Sequence, residues 1–188
     1  MARTPRDLEP GAFHHVTARG NHKQVIYITD VDRHQFMALL ERTVVNYQWR
    51  LHSYCLMTNH FHLLVSTKEG NLDKGMQFLK SGYARRFNKT YGLEGHLFLQ
   101  RYWSHKIERN EHLVHVVRYI ALNPVRAGLC LRPEGWAWSS YPAAVGAVPA
   151  PAFLTLSLLQ QELGSPLQIE RFMNDGMASG LPMPGRTV

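Results

Sequence analysis

WRLHSYCLMTNHFHLLVST, residues 49–67, is the stretch from which the fold is read. Two runs rich in apolar, aromatic and β-branched residues flank Thr58-Asn59, so Trp49–Met57 and His60–Thr67 are predicted as the two strands of a β-hairpin. Residues two apart on a strand share a face. His60 and His62 therefore project side by side, and Phe61 points the other way into the core. Two neutral imidazoles at that spacing can take adjacent positions on one divalent ion. The same spacing also suits a histidine pair on a half-exposed sheet face, so a third ligand and a reactive group have to come from elsewhere in the chain.

Upstream of the hairpin, Ala12–Ala18 is a His-rich strand closed by the turn Arg19-Gly20-Asn21. Asp30 is a candidate cap for a helix over Val31–Tyr47, whose Phe36, Leu39, Leu40, Thr43, Val44 and Tyr47 recur at helical spacing. Downstream, Asn71 is placed to cap a helix running to Thr90 with Leu72, Met76, Leu79, Tyr83 and Phe87 on its apolar side and Lys80, Arg85, Arg86 and Lys89 on much of the rest. A strand over Trp103–Ile107 follows. Asn110 then starts a helix expected to end at Asn123, because Pro124 disfavours helical geometry in the residue before it. This order predicts an α+β layer, an antiparallel sheet with helices against one face. The segment 146–152 has linker composition, and Thr155 and Ser165-Pro166 begin two short helices, with Gly164 ending the first. Residues 1–146 are thus expected to form one domain, and residues 147–188 a linker and short helical C-terminal tail.

At 100° per residue, Leu113, Val116, Val117 and Ile120 fall on one face of the third helix, and His112, His115, Tyr119 and Asn123 on another. The aliphatics supply the core stripe, which leaves the polar face for something else. A tyrosine oxygen is a competent nucleophile towards phosphorus when the phosphate is polarised, and with a pKa near 10 it needs that help at neutral pH. An ion held by His60, His62 and the Asn123 carbonyl oxygen would supply it. Tyr83, in the basic second helix, is the rival nucleophile but sits within an apolar series and is taken as core.

Net charge is +7 and the sequence pI about 9.6. Residues 147–188 carry Arg171 and Arg186 against Glu162, Glu170 and Asp175, so the first 146 residues hold 19 basic against 11 acidic groups. The positive field belongs to the body, as suits a folded surface that tracks phosphates. Cys55 and Cys130 lie too far apart in sequence to suggest a thiolate metal site or a disulfide framework, and both are expected to be buried thiols. No apolar run approaches the roughly 20 residues of a membrane span, and Met1–Pro10 is charged rather than signal-like. A reducing cytoplasmic setting is the expectation.

Met57-Thr-Asn-His-Phe-His-Leu-Leu-Val65 resembles the signature of the HUH (His-hydrophobe-His) endonucleases in their single-tyrosine branch. Arg118-Tyr-Ile-Ala-Leu-Asn-Pro-Val-Arg-Ala127 is similar to the tyrosine helix of the REP-associated tyrosine transposases. Arg19-Gly-Asn21, Gly95-His-Leu-Phe98 before Arg101-Tyr102, and Trp138-Ser-Ser-Tyr141 fit the same subgroup. The resemblance spans residues 10 to 146. It implies a ferredoxin-like fold, a substrate of single-stranded DNA carrying REP-like hairpins, and cleavage through Tyr119 that leaves a 5′-phosphotyrosine and a free 3′-OH. It also implies Mg²⁺ or Mn²⁺ bound by His60, His62 and Asn123, action as a monomer or homodimer, and a nucleoid-associated, bacterial location. Related insertion-sequence transposases carry Gln where this chain has Asn123. Arg19, Lys80, Arg85, Arg86, Lys89 and Arg126 are the candidate DNA contacts.

Overall fold

Four strands, β1 (Phe13–Arg19), β2 (Trp49–Leu56), β3 (His60–Thr67) and β4 (Trp103–Ile107), form an antiparallel sheet in the order β2-β3-β1-β4. Helix α1 (Asp30–Asn46) connects β1 to β2, and α2 (Leu72–Tyr91) connects β3 to β4. This is the ferredoxin-like split βαβ arrangement. Helix α3 (Asn110–Arg126) follows β4, and then α4 (Tyr141–Ala144), α5 (Ser157–Leu163) and α6 (Pro166–Ala178). The computed structural model describes residues 9–107 and 110–178.

The helices divide between both faces of the sheet rather than lying against one. Val16, Ala18, Phe61, Leu63 and Val65 share a core with Phe36 and Leu40 of α1 and with Met76, Leu79 and Tyr83 of α2. Cys55, Leu64 and Ile107 pack on the other face against Leu113, Val116, Val117 and Ile120 of α3. Every residue of β3 after His60 is accordingly buried. A sheet covered on both sides carries apolar residues at successive positions, which hides which face a helix takes.

The capping residues differ from expectation in two places. Helix α1 starts from Thr29: the Asp32 carboxylate accepts the N–H groups of Ile28 and Thr29 at 2.9 and 2.8 Å and the Tyr91 hydroxyl at 2.7 Å. Asn71 does occupy the N-cap position of α2, but its side chain accepts from Trp49 Nε1 and donates to the Tyr47 carbonyl, both at 3.0 Å. It thus ties the α1–β2 corner instead of capping. In the same corner, a Cβ on Gly75 would lie 2.1 Å from the Trp49 indole. Gly75→Ala is therefore expected to destabilise the fold by about 1–3 kcal/mol despite alanine's better helix propensity. Thermal denaturation checks this; an unchanged or raised Tm would show that the indole moves aside freely.

Helix α3 runs through Pro124 to Arg126 instead of stopping at Asn123. The missing proline N–H falls in the last turn, and the helix closes in a Schellman pattern, with Gly128 at φ +68° donating to Val125 and Leu129 to Pro124, at 3.0 and 2.9 Å. The segment around Trp138-Ser-Ser-Tyr141 covers the outer edge of β2: Leu56 N–H donates to Trp138 and Trp136 Nε1 to Leu56, and the Ser140 hydroxyl accepts from Tyr54 N–H. Cys55 is buried, whereas Cys130 is only half-buried. Towards the C-terminus, Leu159, Ile169 and Met173 of α5 and α6 join the α3 core, and Arg118 lies across the Phe172 ring at 4.4 Å, over Gly176, where a Cβ would collide with it.

Candidate active site

Register fixes which side chains meet above the α3 face. Arg19 is opposite His60, Thr17 opposite His62 and His15 opposite Leu64 across β1–β3, while Thr17 and His15 face Trp103 and His105 across β1–β4. Side chains directly opposite share a face, so His15, His60, His62, Trp103 and His105 stand on one surface. A cavity of about 290 Å³ opens there, and Tyr119 and Asn123 of α3 form part of its wall. The His60 and His62 rings lie edge to face at 4.9 Å, and the half-buried Tyr119 ring is 5.3 Å from His62 and 5.6 Å from His15.

The histidines present the atoms an ion requires. Asn59 Nδ2 donates to the Lys23 carbonyl at 3.0 Å, which turns its Oδ1 to His60 Nδ1 at 2.8 Å. His60 Nδ1 must then carry the proton, leaving a lone pair on Nε2. On His62, Nδ1 meets His15 Nε2 at 3.1 Å, and the buried Nε2 has no hydrogen-bond partner. Burial lowers the pKa of His62 well below 6.5, with His15 and His60 adding to it. Burial and then Arg19 lower His60 to about 4, and burial and then His105 lower His15 to about 4. All three are neutral at pH 7, the state in which imidazole binds metal. The residues present therefore fit a divalent ion. Among the described residues no three His, Cys, Asp or Glu side chains cluster with metal-ligand spacing, so such an ion would take further ligands from outside those residue types.

Burial raises the pKa of the Tyr119 phenol, while the Asn123 side chain and Arg126 oppose that rise. The Arg126 guanidinium stands 6.0 Å from the Tyr119 ring. Asn123 Nδ2 donates to the Tyr119 carbonyl at 2.8 Å, which leaves Oδ1 as the amide's acceptor.

Other expected site residues scatter. Arg19 lines the cavity. Lys80 is buried, its ammonium donating to the Gln100 carbonyl at 2.6 Å and lying 4.8 Å from the Phe98 ring; it pins the cavity-lining loop rather than standing with the exposed cations. Arg85, Arg86 and Lys89 are exposed along a groove between α1 and α2, on the sheet face away from Tyr119. His115 turns from the cavity to Arg118 at 3.1 Å and Phe172 at 5.8 Å. His112 lies outside the residues whose side chains are described. Tyr83 is core, donating to the Ile26 carbonyl.

Cavity residues to which the sequence assigned no site role include His15, Arg101 and Trp103. The loop carrying Arg101 reaches the site because Leu97 and Leu99 bond the end of β1, Asn21 donating to Leu97 and Leu99 to Arg19, at 2.8 and 3.0 Å. The signal for Arg101 and Trp103 was adjacency to the Gly95–Phe98 motif. His15 had none beyond strand phase.

A family model described as "Transposase IS200 like" matches residues 11–123. A protein of Haemophilus influenzae, provisionally named a REP-associated tyrosine transposase, is 25% identical over 152 residues, covering 75% of this chain and 86% of its own length. The REP-associated tyrosine transposase of Escherichia coli K12 is 24% identical over 93 residues, 50% of this chain and 54% of its own. The solved structure of a REP-associated tyrosine transposase bound to a REP hairpin superposes with a TM-score of 0.66 at 18% identity, covering 82% of this chain and 92% of that one.

Proposed function

Since the chain belongs to the IS200-like transposase family, we propose that it is a metal-dependent single-stranded DNA endonuclease and strand transferase that recognises REP-like hairpins. One observation carries this reading: Tyr119, from a helix after the sheet, lies 5.3 Å from His62, whose partner His60 stands 4.9 Å away on the same strand. A phenol and two neutral imidazoles thus line one cavity of about 290 Å³. The functional unit is residues 1–146, with α5 and α6 of the C-terminal tail bracing α3.

In this mechanism His60 and His62 would hold Mg²⁺ or Mn²⁺ through Nε2, with Asn123 Oδ1 as third ligand; imidazoles favour Mn²⁺. Such an ion would supply Lewis-acid polarisation of the scissile phosphate. Tyr119 Oη forms a bond to phosphorus, the bond from phosphorus to the 3′-oxygen breaks, and the proton lost by the phenol is balanced by the one gained at the 3′-OH. Arg126 and Arg19 offer positive charge to the phosphate. The bond count at phosphorus is conserved, so a later 3′-OH can attack the phosphotyrosine and rejoin strands without a high-energy cofactor. Among the described residues no helix is long and apolar enough to cross a membrane.

The test is a labelled single-stranded oligonucleotide carrying a REP-like hairpin, incubated with the intact chain and Mn²⁺. A protein–DNA adduct that survives denaturation is expected. Free fragments with no adduct would mean hydrolysis, and binding without cleavage would leave a hairpin-binding protein alone. A separate expectation concerns Arg85, Arg86 and Lys89, exposed along the groove between α1 and α2 and outside the cavity, as contacts for duplex phosphates of the stem. Replacing all three by Ala should weaken binding alike for all sequences and flatten the slope of log K against log salt by up to about 3. An unchanged slope in a filter-binding titration would remove them from the interface.

A further inference from the structure

Resting on the proposed metal site, the geometry points to His15 as a positioning residue that fixes the tautomer of His62. His15 sits opposite Leu64 and reaches diagonally to His62 across the β1–β3 ladder. The two rings stack at 5.2 Å with 22° between planes, and both residues are buried, at 8% and 4% exposure. Edge contacts from Trp103 at 5.8 Å and Tyr119 at 5.6 Å hold the His15 ring in place.

Between two neutral imidazoles only one proton occupies the line from His15 Nε2 to His62 Nδ1, 3.1 Å long. If His15 held it, His62 would carry its own proton on Nε2, which is buried without any acceptor, and could not bind an ion there. If His62 Nδ1 donates to His15, Nε2 keeps a lone pair, matching His60, whose Nδ1 proton is fixed by Asn59. Both histidines then follow the general pattern in which a metal-binding imidazole donates its other N–H to a neighbour. Asn59 does this for one and His15 for the other, from a different strand.

The experiment uses the full chain without DNA. Two-bond nitrogen–proton correlation spectra of ¹⁵N-histidine protein should show His62 as the Nδ1–H tautomer; finding it as Nε2–H overturns the assignment with no variant needed. In His15→Phe, which keeps a ring but offers no acceptor, His62 should shift towards Nε2–H, and Mn²⁺ affinity measured by calorimetry should fall about 10–100-fold. His15→Gln, whose carbonyl oxygen can accept the same N–H, should recover most of that affinity, a rescue that mere packing would not produce. A His15→Phe protein with unchanged tautomer and unchanged Mn²⁺ affinity overturns the role. Should Mn²⁺ affinity be unmoved even by His62→Ala, the metal reading fails by itself, and the tautomer spectra still decide for or against His15.

Discussion

Replacing Tyr119 by Phe is expected to abolish the covalent protein–DNA adduct and to lower strand cleavage by at least about 10³-fold. The substitution removes a single oxygen. The ring's edge contacts with His62 and His15 at 5.3 and 5.6 Å remain available to phenylalanine, so the cavity wall and α3 should persist. No described tyrosine can stand in for it. Tyr83 is buried, with its hydroxyl committed to the Ile26 carbonyl, and Tyr91 donates to Asp32 at 2.7 Å. Tyr102 lines the same cavity, but its hydroxyl oxygen is buried. Burial lifts the Tyr119 phenol above its ordinary pKa, so at neutral pH it is protonated and would need positive charge nearby, from Arg126 and from an ion at the two histidines, to act as a nucleophile. Denaturing gels of a 5′- and a 3′-labelled hairpin oligonucleotide separate the outcomes. Cleavage at the parent rate by Tyr119→Phe, releasing free fragments, would assign the reaction to water and reduce Tyr119 to a wall residue.

How much of this was legible in the sequence depended on whether each partner was local. The hairpin β2–β3 and the HxH pair follow from alternation within a few residues, and the aliphatic stripe of α3 from helical spacing; Leu113, Val116, Val117 and Ile120 are all buried. The side of the sheet that α3 takes was not legible, because β3 is buried on both faces and its apolar pattern has no phase to read. A helical wheel placed His115 with Tyr119, yet the 40° between them is enough for Phe172 of a tail helix to claim the imidazole. Lys80 looked like one more cation on a basic helix until the loop at Gln100 covered it. His15 lies 47 positions before His62, and its value lies in which nitrogen carries a proton, something no spacing within a single strand encodes.

The second large effect concerns the histidines. His62→Ala is expected to cut Mn²⁺ affinity by more than about 100-fold, since losing a ligand should exceed the 10–100-fold that outer partners are worth, and to lower adduct formation by at least about 10²-fold at saturating ion. His62 is 4% exposed and inside the sheet, so its truncation also removes packing, and a fall in Tm would by itself leave the loss open to a structural explanation. His60→Ala removes that ambiguity. His60 is half-buried at the start of β3, its Nδ1 bonded to the adjacent Asn59, and its loss should cost little stability while still taking away one of two imidazole nitrogens. The informative comparison is between variants. Tyr119→Phe should bind Mn²⁺ as the parent does and form no adduct; His60→Ala should keep the parent's melting temperature and lose both. A His60→Ala protein that binds Mn²⁺ at parental affinity and still forms the adduct would detach the His pair from the chemistry and leave Tyr119 acting with arginines alone.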